Sequence, residues 1–208
     1  DGKRLQDVVY EDLKKVYGSQ GFIQYNAEFE PAFKDNPTNP NEGIVDIKIT
    51  IEEGKQFTLR RLEFVGNTFT RDKVMRREFL LNEGDTYNDQ YIDISVARLN
   101  QTQHFDPIDK DQDIEKRTDE EQGDVDLIVK IKEKGRQQIS FNGGVSGVGG
   151  TFFGLEYSTN NLAGRGEILS LTAGAGNRQQ NFQVTYQEPY FRDRPISVGI
   201  SGFASKYK

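Results

Sequence analysis

The chain has 208 residues, with 27 Lys and Arg against 33 Asp and Glu and a net charge of −6, which gives no electrostatic support for nucleic-acid binding. It has no cysteine, which removes disulfides, thiolate metal sites and a cysteine nucleophile. No run of about 18 apolar residues exists, so no transmembrane helix is expected. Hydrophobic residues make up 34%, low for one large compact core. Glycine is concentrated after position 142, whereas the first 136 residues are highly charged, which predicts a boundary near Lys134-Gly135-Arg136. No signal peptide is visible, and a first residue that is Asp rather than Met suggests a processed chain or a fragment.

Residues 3–17 predict an amphipathic helix, with Leu5, Val8, Val9, Leu13 and Val16 on one face and Gly18 or Gly21 ending it. Ile23, Tyr25, Ala27 and Phe29 alternate as a strand. Pro31, Pro37, Asn39, Pro40 and Gly43 predict a long turn, and Val45, Ile47, Ile49 and Ile51 alternate as the returning strand. This unit reads helix–strand–strand.

Residues 57–134 carry the same unit, extended at its start. Phe57 to Val65 predicts a strand whose parity shifts between Leu59 and Leu62, so a bulge near Arg60-Arg61 would restore one buried face. Gly66-Asn67 is a turn. Thr70 is the expected cap of a short helix bearing Val74, Met75 and Phe79, and a second helix over about 88–101 presents Ile92, Val96 and Leu99. A strand is expected near Phe105, then an acidic loop, then a strand carrying Val125, Leu127, Val129 and Ile131. The two returning strands repeat: Val45, Asp46, Ile51 and Glu53 recur as Val125, Asp126, Ile131 and Glu133, at an offset of 80 residues. The full module is strand–helix–helix–strand–strand, a small sheet with two helices on one face. The first copy lacks the opening strand and first helix, which leaves an extra sheet edge.

Several patterns invite a chemical reading. Asp109, Asp111, Asp113 and Glu120 match positions 1, 3, 5 and 12 of a calcium loop, but Ile114 stands where that loop needs Gly and the predicted flanks are strands, so a solvated acidic hairpin is the reading taken. His104 is the single His and has no partner for a triad or metal site; at a helix end it is expected to contact the last carbonyls. Gly144-Val-Ser-Gly-Val fails the nucleophile-elbow pattern at Val148, and neither Gly164-Arg-Gly166 nor Gly174-Ala-Gly176 has the third glycine of a dinucleotide loop. Arg60-Arg61, Arg71 and Arg76-Arg77 are interleaved with Glu63, Asp72 and Glu78, giving a mixed solvated surface that leaves a polar docking face open. No catalytic residue, metal site or cofactor is assigned, and an enzyme is not expected.

From Gln137 onward the chain reads in twos. Ile139 and Phe141 alternate with polar residues, as do Phe153, Leu155 and Tyr157, then Leu169, Leu171 and Ala173, then Phe182, Val184 and Tyr186, then Ile196, Val198 and Ile200. The separators are 147–150, 160–166, 174–178 and 192–195. Such a meander buries one face against a second protein layer, as in a β-sandwich, or against lipid. Lipid is favoured because no apolar helix after residue 136 could cover the sheet, and because the strands match the roughly 9–11 residues of a tilted spanning strand. Gln183 and Thr185 would then turn to a polar lumen.

Two motifs punctuate these strands. Asn161-Leu162-Ala163-Gly164-Arg165-Gly166 leads into one, and Glu188-Pro189-Tyr190-Phe191 closes the next. The pair, joined by two alternating strands, resembles the start of the barrel in BamA-like proteins, the outer-membrane β-barrel insertases and their two-partner-secretion relatives. The module order, with the Phe-Val-Gly-Asn turn at 64–67, is similar to a periplasmic POTRA domain. The resemblance implies α+β POTRA modules followed by antiparallel strands of a transmembrane β-barrel: a partial module over 1–54, a complete one over 55–134 and incomplete barrel strands over 135–208. It places 1–134 in the periplasm and the rest in the bacterial outer membrane. It implies folding and insertion of β-barrel proteins by strand templating, with unfolded outer-membrane proteins, outer-membrane lipids and accessory lipoproteins as partners and no nucleic acid. Phe105 marks the expected POTRA strand edge for substrate. Alternatives are a secretion pore of the two-partner type and a structural or adhesive surface β-protein.

Overall fold

The computed structural model describes residues 2–35, 37–38, 43–135, 137–146 and 150–207. The expected turn residues Asn39 and Pro40, the boundary residue Arg136 and the separator residues 147–149 lie outside the described residues. The chain forms two compact units, one of Asp1–Glu63, Leu80–Ile94 and Ile114–Ile128, the other of Phe64–Phe79, Ser95–Asp113 and Val129–Lys208.

In the first unit a helical run is built from α1 (Gly2–Asp7), a π-helical segment (Val8–Leu13) and α2 (Lys14–Ser19). Val9 is buried, and Leu5, Leu13 and Tyr17 pack beside it with Tyr25, Ala27, Phe29 and Ile49. The inward spacing is therefore every fourth residue, and Val8 and Val16 are exposed, against the expectation that both share the buried face. The π segment explains the difference, because its wider turns keep positions four apart in line. The Tyr25 hydroxyl donates to the Val9 carbonyl at 3.0 Å, which satisfies a buried polar tip. Strands β1 (Asn26–Asp35) and β2 (Gly43–Glu52) form an antiparallel ribbon in which Ala27, Phe29, Pro31 and Phe33 face Ile51, Ile49, Ile47 and Val45. Pro31 thus lies within a strand, not in the expected turn. A two-stranded ribbon is all edge, so the missing N–H need not break a ladder.

Strand β3 (Thr58–Val65) begins in this unit, and Leu59 and Leu62 are both buried with Arg60 and Arg61 exposed between them, as the parity shift predicts. The three-stranded sheet has the order β3-β5-β4, with β4 at Ile114–Asp119 and β5 at Asp124–Lys130. Its second strand is therefore β4, not a segment near Phe105. Phe57, Leu59, Tyr87, Ile92, Val125 and Leu127 form the buried set here. Arg60 bridges to Asp126 through Nε at 2.9 Å and Nη2 at 2.6 Å.

In the second unit, α3 (Asp72–Arg76) is one short turn, and α4 (Asp89–Gln101) enters from the first unit; α5 (Lys110–Asp113) follows. Val74, Met75, Phe79, Val96, Leu99, Phe105, Ile108, Val129 and Ile131 are buried. Phe64 and Phe79 meet edge-to-face at 5.3 Å between centroids. The residue at the cap of α3 is Arg71, which makes no side-chain cap bond; Thr70, the expected cap, is buried and turned elsewhere.

The rest of this unit is a five-stranded antiparallel meander, β6 (Gln137–Ser146), β7 (Gly150–Leu162), β8 (Glu167–Gly176), β9 (Gln179–Glu188) and β10 (Val198–Tyr207), in the order β10-β9-β8-β7-β6. The strands extend into the expected separators, to Leu162 and Gly176. Direct partners share a face, so the register tests the alternation residue by residue. Phe141 pairs with Leu155 and Leu155 with Ala173; Tyr157 pairs with Leu171 and Leu171 with Val184; Leu169 pairs with Tyr186 and Tyr186 with Ile200. One face thus gathers the alternating apolar residues that lie in strands; Ile196, expected to join them, precedes β10. The other carries Gln138, Ser140, Glu156, Ser158, Ser170, Thr172, Gln183 and Thr185, with Phe152, Ile168, Phe203 and Tyr207 as departures. Phe141 is 69% exposed and Ile200 74%, so no described element covers the apolar face there.

Candidate functional site

The site is built where the turn after β7 and the turn after β9 meet residues 66–79, all within the second unit. The β7–β8 register shifts between Thr159 and Leu162, and this irregularity turns Asn161 inward until it is 1% exposed. A fully buried amide needs hydrogen bonds at both its nitrogen and its oxygen, and each has one. Its Nδ2 donates to the Thr70 hydroxyl at 2.8 Å, and its Oδ1 accepts from the Gly166 N–H at 2.8 Å. The Gly164 carbonyl accepts from the Arg71 N–H at 2.9 Å.

Both motif glycines are required by space as well as by conformation. Gly164 has φ +73°, and a Cβ there would strike the Phe69 carbonyl oxygen. Gly166 has φ +71°, and its Cβ would lie 2.5 Å from Arg77 Nη2 and 3.2 Å from Val74 Cγ1. Among the described residues four non-glycines have positive φ; Ala163 sits in the first motif turn, and Arg192 and Asp193 directly follow the second motif. Strain concentrated in this way marks positions that the surroundings hold firmly.

Beneath Gly166 lies a buried polar cluster. The Arg77 guanidinium stacks on the Tyr190 ring at 4.0 Å from the centroid, and Tyr190 donates to the buried Glu78 carboxylate. Arg77 Nε and His104 Nδ1 are buried with no hydrogen-bond partner among the described residues. Burial, reinforced by the neighbouring Arg77 charge, pushes the His104 imidazole down to about 4, so it is neutral at ordinary pH. Glu133 anchors the turn before α3: its carboxylate accepts from the Thr68 hydroxyl at 2.7 Å, the Phe69 N–H at 3.1 Å and the Thr70 N–H at 2.6 Å. Burial pushes this carboxyl up, but the bonds from Thr70, Thr68 and Phe69 outweigh it and hold the group down at about 2.

The structure thus brings Asn161, Gly164, Gly166 and Tyr190 around one segment, with Leu162, Glu188, Pro189 and Phe191 at the ends of the same turns. Thr70, Arg77, His104 and Glu133 complete the site and were not assigned to it from sequence. Two signals pointed to them, the isolated His104 and the recurrence of Glu53 as Glu133. His104 does not reach the helix carbonyls as expected; the Thr102 hydroxyl donates to the Leu99 carbonyl instead, at 2.7 Å. Phe105 is buried and makes an isolated bridge to Glu133. Asp109 and Asp113 are occupied around α5, where Asp113 Oδ2 accepts from the Asp109 N–H at 2.8 Å, and Glu120 accepts from Gln24 at 2.7 Å. Of the basic residues, Arg61 pairs with Glu63 at 3.2 Å and Arg76 with Asp72 at 2.9 Å. Phe153, Leu155, Tyr157, Leu169, Leu171, Phe182, Val184 and Tyr186 share the apolar face by register.

Comparison with known proteins converges on one group. Residues 57–134 match the POTRA family, described as a surface antigen variable number repeat, and 161–208 match the Omp85 superfamily domain. The chain is 22% identical over 97% of its length to outer membrane protein assembly factor BamA of Buchnera aphidicola, and 27% identical over 96% to that of Nitratidesulfovibrio vulgaris. It spans 31% and 24% of those relatives. The crystal structure of BamA from Haemophilus ducreyi lacking POTRA domains 1–3 superimposes with a TM-score of 0.80 at 25% identity, covering 99% of this chain and 37% of that one.

Proposed function

The chain is a BamA-like member of the Omp85 superfamily, and from that premise we propose that it serves in folding β-barrel proteins and inserting them into the outer membrane. It is an outer-membrane protein with its POTRA-type part in the periplasm. Unfolded outer-membrane proteins are the proposed substrates, outer-membrane lipids the surroundings and accessory lipoproteins further partners. No bond-making chemistry and no cofactor are invoked.

The observation that carries this reading is the antiparallel meander that follows the POTRA-type residues, in which β6 is the first strand and pairs with β7. The N–H and C=O groups along the outer side of a first strand can template an incoming extended segment. Each backbone group left unpaired in lipid costs several kcal/mol, so pairing before insertion removes a large barrier. β6 is also suited to exchange: Asn142, Gly143 and Gly144 are poor strand formers with little side chain to grip a partner. The buried Asn161–Thr70 contact ties the foot of the next strand to 66–79, so the template stands on a fixed base.

Cysteine scanning along β6 of the full-length protein, against a stalled barrel substrate carrying one cysteine, tests this. Cross-links recurring at every second β6 position, in one register, are expected. No cross-link above that of a control pair on the polar face of β8 would remove β6 as the template.

A further inference from the structure

Beside the buried junction, a cavity of about 240 Å³ opens at the foot of the sheet, within the second unit. Four cations, Arg71, Lys73, Arg77 and Arg165, line it together with three carboxylates, Glu167, Glu188 and Asp193. Most of these charges are already engaged. Lys73 pairs with Asp193 at 2.5 Å, Arg165 lies 3.8 Å from Glu167, and Arg77 stacks on Tyr190. Two are held by no hydrogen bond or close ion pair among the described residues: the exposed Arg71 side chain, and the Glu188 carboxylate, whose charge acts on Arg77 from a distance. One cavity therefore offers one loosely held charge of each sign.

Its place on the sheet decides what could use both. Glu188 pairs with Val198 in the register that pairs Tyr186 with Ile200 and Val184 with Gly202, so it continues the apolar face of β9. Glu167 likewise continues the face of Leu169 and Leu171. The cavity therefore lies where that apolar face ends and charged residues begin, and Tyr190 lines it. Aromatic residues followed by charge at the end of an apolar band are the pattern of a bilayer interface. A ligand there is a headgroup whose acyl chains run up the apolar face.

We propose that this cavity holds the zwitterionic headgroup of a phospholipid of the phosphoethanolamine type, with its phosphate on Arg71 and Arg165 and its ammonium on Glu188. Guanidinium groups match phosphate geometry, and Arg165 is held only loosely by Glu167 at 3.8 Å. A ligand bearing only negative charge would draw Arg165 away from Glu167 and bring nothing to pair with Glu188, which favours the zwitterion. The lipid would also cover the polar foot of the sheet, where a bare acyl chain could not satisfy Arg71.

Native mass spectrometry of the full-length protein, released from bilayers of equal phosphatidylethanolamine and phosphatidylcholine, reads the site. One retained phosphatidylethanolamine is expected in preference to phosphatidylcholine, whose trimethylated nitrogen cannot donate to Glu188. Arg71→Ala with Arg165→Ala should cut retention of both lipids at least fivefold, and Glu188→Gln should abolish the preference while keeping retention. These side chains are exposed or half-buried at a rim, and unchanged circular dichroism confirms the fold. Glycerophosphoethanolamine should displace the lipid at concentrations where inorganic phosphate does not. Displacement by inorganic phosphate alone would mean a free-anion site, and retention unchanged in the double variant would remove the site; either overturns the proposal.

Discussion

Gly164 and Gly166 are two residues apart, both in the left-handed region, yet alanine should not cost the same at each. At Gly164 the new methyl meets the Phe69 backbone oxygen, which cannot move without disturbing the Arg71 N–H bond to the Gly164 carbonyl. At Gly166 it meets the far end of a flexible arginine. The conformational term is about 1 kcal/mol at either site. We therefore expect Gly166→Ala to lower stability by about 1–2 kcal/mol and Gly164→Ala by clearly more. Urea unfolding of the full-length variants in micelles checks the order; equal losses would show that conformation alone sets the cost. Acid should act on the same region in two stages. The His104 pKa is depressed, so the unfolded chain takes up a proton that the fold refuses, and stability is lost as pH falls from about 6.5 to 4. Glu133 is also depressed, so its contribution is full above its ordinary range near 4.5 and is lost as pH falls through about 2. The first stage amounts to up to about 3 kcal/mol. His104→Gln should remove the loss between pH 7 and 4 while leaving the loss below it, and a His104→Gln curve identical to the parent's would assign the first stage elsewhere.

At the level of elements, alternation and register agree. Leu169, Leu171, Val184 and Tyr186 were legible as one face because period-two patterning and direct pairing are the same geometry read twice. In full-length protein in bilayers, spin labels at 182, 184 and 186 should therefore be reached by a lipid-soluble quencher, and labels at 183 and 185 by a water-soluble one. Uniform access by the water-soluble quencher would remove the lipid assignment. What sequence hid follows from the same rule. Strand β4 reads Ile-Glu-Lys-Arg-Thr-Asp, an edge strand with only Ile114 buried, so it has no alternation to detect. Phe105 marked the expected strand edge by family resemblance; it is a buried core residue that makes an isolated bridge to Glu133, and the strand beside β5 is β4. Thr70 read as a cap because local rules favour it there; its hydroxyl is instead claimed by Asn161, 91 residues away, which no local pattern reports. The motif turns at 161–166 and 188–191 were legible as a pair, whereas Arg77 and His104 were not, since a charged residue in a mixed run and a lone imidazole carry no sign of burial.

For the whole molecule, the meander poses a closure problem. Its five strands are too few for even a small membrane barrel, which needs about 8. Left alone, β6 and β10 each present one unpaired side, and neither lipid nor a dry interior can satisfy it. The apolar face adds to the problem: Phe153 is 55% exposed and Phe182 51%, beside Phe141 and Ile200. A contiguous patch of that kind with two free edges is an aggregation surface in water. Removing residues 1–136 would also strip from the turn at 161–166 the Thr70 partner of Asn161 and the residues packed against Gly164 and Gly166. A fragment of 137–208 should therefore sediment as large aggregates, or stay soluble only with detergent, and should show no cooperative thermal transition. Analytical ultracentrifugation with circular dichroism decides it. A monomeric fragment with native strand content and a sharp melt would mean that the apolar face finds a protein partner within those residues, which is the sandwich arrangement and not a face for lipid.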